Sequence, residues 1–373
     1  MNEINANTLG ARIREARERA GLNQGELSSL VALDRTAVSK IEAGTRKITA
    51  LELSSVAQAI GVRMTSFFSD PLPALVSHRF SQGLDTVDSK VDQLLAGLAA
   101  DVELVQSLAA SELGPERLAA TPYPRPLSNS AADDLAATAR HLLELNNTEP
   151  VHDLANRVAR IGLFAFSMDL GVDTADAGTI LLTSGGVSLV NSHNKVGKRR
   201  LALAHELGHF LVADDYTIDW RISEQNGDIE ATLDRFARAL LLPKDGLAGL
   251  WEEKRAAHGV RETAVLCASD FRVDMATLAR RLRELEVVES DVANFIRTIS
   301  TTRADIVEFG LNVPTELEAT SLPIAFQKGV LRSFREEKIS RERALGLLRD
   351  TFEDEDLPPL RPRREDELWN FVS

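Results

Sequence analysis

His205, Glu206 and His209 stand in the order His-Glu-Leu-Gly-His inside an apolar-rich run from Leu201 to Val212. On a helix, two histidines four residues apart lie on nearly one line and can turn both imidazoles toward one ion. His205 and His209 are therefore candidate metal ligands, with zinc the expected ion and manganese the alternative. Glu206 sits one step round the same helix, where a carboxylate can take a proton from an activated water rather than bind the ion itself. It is the candidate catalytic general base. For a motif this short, a solvated helix with two surface histidines is the competing reading.

Two histidines are half of a site, and a second helix must supply the rest. A loop over Ser223 to Gly227 leads to Asp228 as N-cap, and Leu233, Phe236, Ala237, Leu240 and Leu241 then repeat at helical spacing up to Pro243. Glu230 and Asp234 lie one turn apart at its start. A third oxygen ligand and a carboxylate that orients a histidine through its second ring nitrogen would need that spacing. A rival third ligand is Asp215, six residues after His209, although Val212 stands where that other zinc pattern wants glycine. Ala204-His205-Glu206-Leu207-Gly208-His209-Phe210, followed by Glu230, Leu233, Asp234, Phe236-Ala237 and Leu240-Leu241-Leu242-Pro243, resembles the ImmA/IrrE-type zinc metallopeptidases. The resemblance implies a zincin-like fold, Glu230 as third zinc ligand and Asp234 as the residue supporting a ligand from behind.

Thr8 to Ser69 reads as a succession of short helices broken at Gly21, Gly44 and Gly61. Nine Lys or Arg face six acids there, a local +3 in a chain of net charge -13. Asn23 and Asp34 are placed to cap the second and third helices. Leu22 to Leu27 and Leu33 to Gly44 resemble the phage-repressor, or Xre, type of helix-turn-helix domain. Gln24 is expected at a phosphate beside its helix N-terminus, Arg35, Thr36, Ser39 and Lys40 at base edges in a major groove, and Arg46 and Lys47 at phosphates. The implied ligand is a double-stranded DNA operator.

The composition of the whole 373-residue chain bounds the answer. Hydrophobic residues make up 44% and charged residues 27%, ordinary for a globular protein, and the strongly negative balance excludes a protein whose whole surface binds nucleic acid. One cysteine, Cys267, cannot form an intrachain disulfide or a thiolate zinc site. No signal peptide or membrane span is read, so the expected location is cytoplasmic.

The expected fold is mainly α, with α+β character in a peptidase domain. The boundaries expected are 1–70 for a five-helix helix-turn-helix bundle, 71–130 for a helical connector and Pro-rich linker, 131–288 for the peptidase domain with a small β-sheet, and 289–373 for a helical C-terminal region. In the connector, Leu94, Leu98, Val102, Val105 and Leu108 keep near-heptad spacing, which suits either a homodimer or packing within the chain. Leu163 to Met168, Thr179 to Leu182 and Val187 to Asn191 are expected strands, the last as an edge that holds substrate by backbone pairing, with His193 a candidate oxyanion group. Lys198 to Arg200 read as a solvated turn before the metal helix, and Glu353 to Asp356 as a mobile acidic tail. These expectations combine into a DNA-binding regulator with zinc endopeptidase activity toward a repressor or antitoxin-like protein, in a stress, mobile-element or toxin-antitoxin circuit. The alternative is a non-catalytic repressor or antitoxin that uses the same fold as a sensor or scaffold.

Overall fold

The N-terminal helices form around apolar stripes, and side-chain caps at Asn5 and Asn23 start the first two. In the computed structural model they are α1 (Ala6–Arg19), α2 (Gln24–Leu30), α3 (Arg35–Glu42) and α4 (Ala50–Ile60), followed by a 3-10 turn at Met64–Phe67. The structure describes residues 5–20, 22–60, 64–68, 75–79, 89–109, 111–113, 122–172, 174–182, 184–212 and 226–360. Asn23 accepts from the amides of Gly25 and Glu26, and Glu26 returns a bond to the Asn23 amide, a reciprocal cap. Asp34 occupies the N-cap of α3 without a side-chain bond; its backbone carbonyl accepts from Ala37 and Val38 instead. Ile13, Leu27, Val38, Ile41, Leu53, Val56 and Phe67 form the small core. α1 crosses α3 closely enough that a Cβ on Gly10 would lie 2.3 Å from the Ile41 carbonyl oxygen.

By their contacts, residues 1–73 with 86–96 form one compact unit and residues 74–85 with 97–373 a second. The later elements are β1 (Leu75–Arg79), α5 (Ser89–Ala109), α6 (Asn129–Leu142), α7 (Leu154–Arg160), β2 (Leu163–Met168), β3 (Ala177–Leu182), β4 (Gly185–Asn191), α8 (Val196–Val212), α9 (Asn226–Leu241) and α10 (Lys244–Arg255). There follow α11 (Val260–Asp270), α12 (Met275–Glu284), α13 (Ser290–Thr298), α14 (Arg303–Glu308), α15 (Ile324–Arg335) and α16 (Arg341–Leu348). The protein is thus mainly helical with one small mixed sheet.

That sheet has the order β1-β3-β4-β2, with β4 antiparallel to β3 and parallel to β2. Leu163, Ala165, Ala177 and Val190 join the core around Leu203, Leu207 and Phe210 of α8. On the opposite face Phe166 packs edge-on to Phe326 of α15, ring centroids 5.2 Å apart. Burial on both faces explains why β2 reads as an unbroken apolar run. It also corrects the expectation for Val187–Asn191. β4 is paired along both sides, so its backbone has no ladder left for a substrate.

Other expectations change for reasons of long-range packing. Lys198, Arg199 and Arg200 lie inside α8 rather than in a turn, because the helix starts at Val196. Arg200 is fully buried and pairs with Glu316, while the buried Arg199 donates to the Ser192 carbonyl at 3.2 Å. Asp228 falls within α9, which starts at Asn226, and so is not its N-cap. On α5 the buried row is Val91, Leu95, Leu98, Val102 and Val105, with Leu94 and Leu108 only half-buried. That row is covered within the chain, Val105 lying against Gly329 of α15, and does not offer a free heptad seam. Asp101 of α5 bonds Arg343 and Arg349, each at 2.9 Å.

The C-terminal helices are fastened to the sheet and to α11. Ser167 and Ser321 exchange two backbone bonds, and Arg261 grips Asp305 with two bonds of 2.8 Å. Glu353 to Asp356 is a capped 3-10 turn held by Arg341, with Leu357 buried after it, and not a mobile tail; residues 361–373 lie outside the described residues. Cys267 is buried, and desolvation pushes its thiol up to about 12.

Candidate functional site

α8 and α9 pack side by side, and their closeness depends on Gly208. A Cβ there would lie 2.9 Å from the Phe236 ring and 3.1 Å from Leu233, both fully buried on α9. The middle of the His-Glu-Leu-Gly-His motif is therefore the contact that lets α9 bring Glu230 to the two histidines.

His205 Nε2 lies 3.1 Å from His209 Nε2 and 3.1 Å from Glu230 Oε2, and His209 Nε2 lies 3.4 Å from Glu230 Oε1. Donors on a tetrahedral ion with bonds of about 2.05 Å stand about 3.3 Å apart, so the two imidazole nitrogens and the Glu230 carboxylate, which meets each of them through a different oxygen, have the spacing that a zinc site needs. Among the described residues, this is the group of His, Cys, Asp and Glu side chains that converges in this way. His205 Nδ1 lies 3.0 Å from Asp234 Oδ1. The tautomer that donates Nδ1–H to Asp234 leaves the Nε2 lone pair directed at the other two donors. The donor set of two imidazoles and a carboxylate suits zinc, and the residues fit that ion.

Burial and charge are graded across the site. His205, Glu206 and His209 are buried, Asp234 is half-buried, and the Glu230 side chain is 51% exposed, so the ligand triad opens on one side. Burial works against the charged form of Glu230, but the hydrogen bonds from His205 and His209 outweigh it and hold its carboxyl well below the usual carboxylate range. Behind Asp234 lies Arg238, 3.9 Å away and one turn on, itself bonded to Glu284. Sequence reading passed over Arg238; its i, i+4 relation to Asp234 was the available signal. Asp215 lies outside the described residues. His193 is half-exposed, 3.4 Å from Asp169, and is not among the converging groups.

In the N-terminal unit, Arg35, Thr36, Ser39 and Lys40 are exposed on α3 while Val38 and Ile41 face the core; Lys47 is exposed beyond it. Gln24 and Arg46 are engaged within the chain. The Gln24 amide donates to Glu42 at 2.8 Å and Arg46 to Glu52 at 2.7 Å. Glu42, fully buried, also accepts from Arg17 Nε at 2.6 Å, so one carboxylate ties α1, α2 and α3.

Comparison with known proteins matches one family in each of the two compact units. Residues 13–67 match the helix-turn-helix family, and residues 166–283 match the IrrE N-terminal-like domain of peptidase family M78. The control protein C.MunI of a Mycoplasma species is 31% identical over 71 residues, 19% of this chain and 95% of that protein. Among solved structures, PlcR of Bacillus thuringiensis in complex with the peptide PapR7 and DNA is 14% identical and covers 82% of this chain and 97% of its own, at a TM-score of 0.17. ComR from Streptococcus suis is 11% identical, covering 99% and 96%, at a TM-score of 0.17, and overlaps this weak carry no argument about fold. The chain accordingly belongs to the helix-turn-helix regulators through its first unit, and its second carries an IrrE N-terminal-like domain over residues 166–283.

Proposed function

We propose that this regulator is also a zinc-dependent endopeptidase that cuts a repressor or antitoxin-like protein, in the cytoplasm and in answer to a stress, mobile-element or toxin-antitoxin signal. The observation that carries the reading is the convergence of His205, His209 and Glu230 at tetrahedral edge distances, with Asp234 fixing the His205 ring from behind. A zinc ion held there would supply Lewis-acid chemistry, lowering the pKa of water and polarising a scissile carbonyl. Glu206, on the same helix, accepts the proton of the attacking water at its carboxylate and passes it to the departing amine. Glu230 contributes a carboxylate that stays ionised, and Asp234 keeps the ring of His205 in the tautomer that binds. Arg35, Thr36, Ser39 and Lys40 are proposed to read base edges of an operator, with Lys47 on a phosphate.

Metal content and cleavage test the reading together. Elemental mass spectrometry should find about one zinc per chain in the parent and none in His205→Ala or Glu230→Ala, as a mononuclear site requires. New N-termini released from a proteome-derived peptide library should appear with the parent and vanish with Glu206→Gln, which keeps its zinc. Library cleavage no greater with the parent than with Glu206→Gln would leave the non-catalytic regulator as the function.

A further inference from the structure

The sheet beside the metal helix is completed by a strand from elsewhere in the chain. β1, at Leu75–Arg79, comes far ahead of the matched peptidase-family span that begins at 166. It pairs antiparallel with β3, from Leu75 opposite Ile180 to Arg79 opposite Ala177. It also lies against α8, the helix that bears His205, Glu206 and His209. β4 is paired on both sides, and the outer side of β2 is bridged at Ser167 to Ser321 and packs toward the C-terminal helices, on the side of the sheet order away from β1. The outer ladder of β3 is therefore the edge next to the site on which an extended polypeptide would be held by main-chain bonds, and the connector already fills it. The hold is short and uneven, since β1 has five residues and its register shifts between Leu75 and Ser77.

We propose that residues 75–79 are a resident, exchangeable strand, occupying in cis the edge of β3 that receives an extended segment of the protein substrate. An incoming segment must displace β1 before its backbone can lie along β3. The identity of the incoming segment as a substrate rests on the peptidase reading above; the exchange of strands does not.

Amide hydrogen exchange on the full-length chain carrying Glu206→Gln tests this without turnover. In a Ser77→Pro/His78→Pro double variant of that chain, one of two adjacent ladder amides facing β3 must be lost. The β3 amides that pair with β1 should then exchange at least about tenfold faster, while amides of the β2–β4 ladder stay protected and show the domain folded. A free peptide spanning residues 73–81 should restore slow exchange in the variant and bind the parent more weakly, because there it must displace β1. Equal β3 protection in parent and variant, or no restoration by the peptide, overturns the proposal. If the prolines also unprotect the β2–β4 ladder, the pair His78→Cys with Gly178→Cys, opposite in register, decides. With oxidised glutathione it should close a disulfide and exclude the peptide, and reduction should readmit it; failure to close overturns the proposal, since a strand resident on β3 holds the two positions opposite each other. Loss of library cleavage with this exchange pattern intact removes the peptidase reading alone, and the reverse outcome removes the strand alone.

Discussion

His205, His209 and Glu230 are brought together by two helices of one chain, whereas Arg35, Thr36, Ser39 and Lys40 lie exposed along a single helix. The first arrangement is over-determined from within: Gly208 sets the helix spacing, Asp234 orients one ring, and Arg238 stands behind Asp234. The second is completed only by what docks on it. α3 carries this contrast within itself, because its inner face holds the buried Glu42 that ties three helices while its outer face is available to a ligand. A residue's burial and its internal partners should therefore separate changes that damage the fold from changes that damage binding alone.

The largest effect is expected where the helix-turn-helix unit is most like the metal site. Glu42→Ala leaves the buried Arg17 guanidinium without its carboxylate, and breaking such a pair costs about 3–5 kcal/mol. Denaturant unfolding followed through the N-terminal unit should show that loss; a change below about 1 kcal/mol would mean that the pair is not a clamp. Gly208→Ala comes next. Its methyl group would press on Phe236 and Leu233, an overpacking that costs about 1–3 kcal/mol. Moving α9 away also draws Glu230 from the histidines, so zinc should be lost along with stability. A Gly208→Ala protein with full zinc content would show that the α8–α9 contact does not set the triad.

Asp234→Asn sharpens the contrast further, since it leaves the three converging side chains of His205, His209 and Glu230 in place. Replacing a carboxylate that supports a ligand histidine lowers metal affinity about 10–100-fold, readable by competition with a chelator. An unchanged affinity would confine Asp234 to its contact with the Arg238 side chain.

How far each part was legible follows from the range of its interactions. The spacing of His205 with His209 and of Glu230 with Asp234 was readable because helical spacing is local, and the Asn23 cap and the apolar stripes of α2 and α3 were readable for the same reason, whereas Asp34 stands at its N-cap position without the side-chain bond expected of it. Arg200 was misread as solvated because its partner Glu316 lies over a hundred residues away and no local pattern announces it. The order of strands is likewise a tertiary fact. Alternation and turn residues predicted the β3–β4 hairpin, but only the pairing of β4 with β2 and of β1 with β3 shows which strand is internal. Residues 75–79 went unread as a strand because five residues between Pro73 and a polar stretch carry too little periodicity to register.

The smallest effect on the fold is predicted on the outer face of α3. Arg35→Ala and Lys40→Ala should each weaken binding to the cognate operator by about 1–3 kcal/mol if they contact base edges. Because both side chains are exposed, stability should move by no more than about 0.5 kcal/mol in either variant. Lys47→Ala should behave differently, weakening all DNA sequences alike and reducing the slope of log affinity against log salt by about one unit, as loss of one phosphate contact requires. Electrophoretic mobility shifts with the operator and with a scrambled duplex, across a salt series, separate the two classes. If Arg35→Ala reduced both duplexes equally and flattened the salt slope, Arg35 would be a phosphate contact, and base reading would fall to Thr36, Ser39 and Lys40. If none of these substitutions altered operator affinity, the exposed face of α3 would be a surface for protein rather than for DNA, while the inner clamp through Glu42 would stand unchanged.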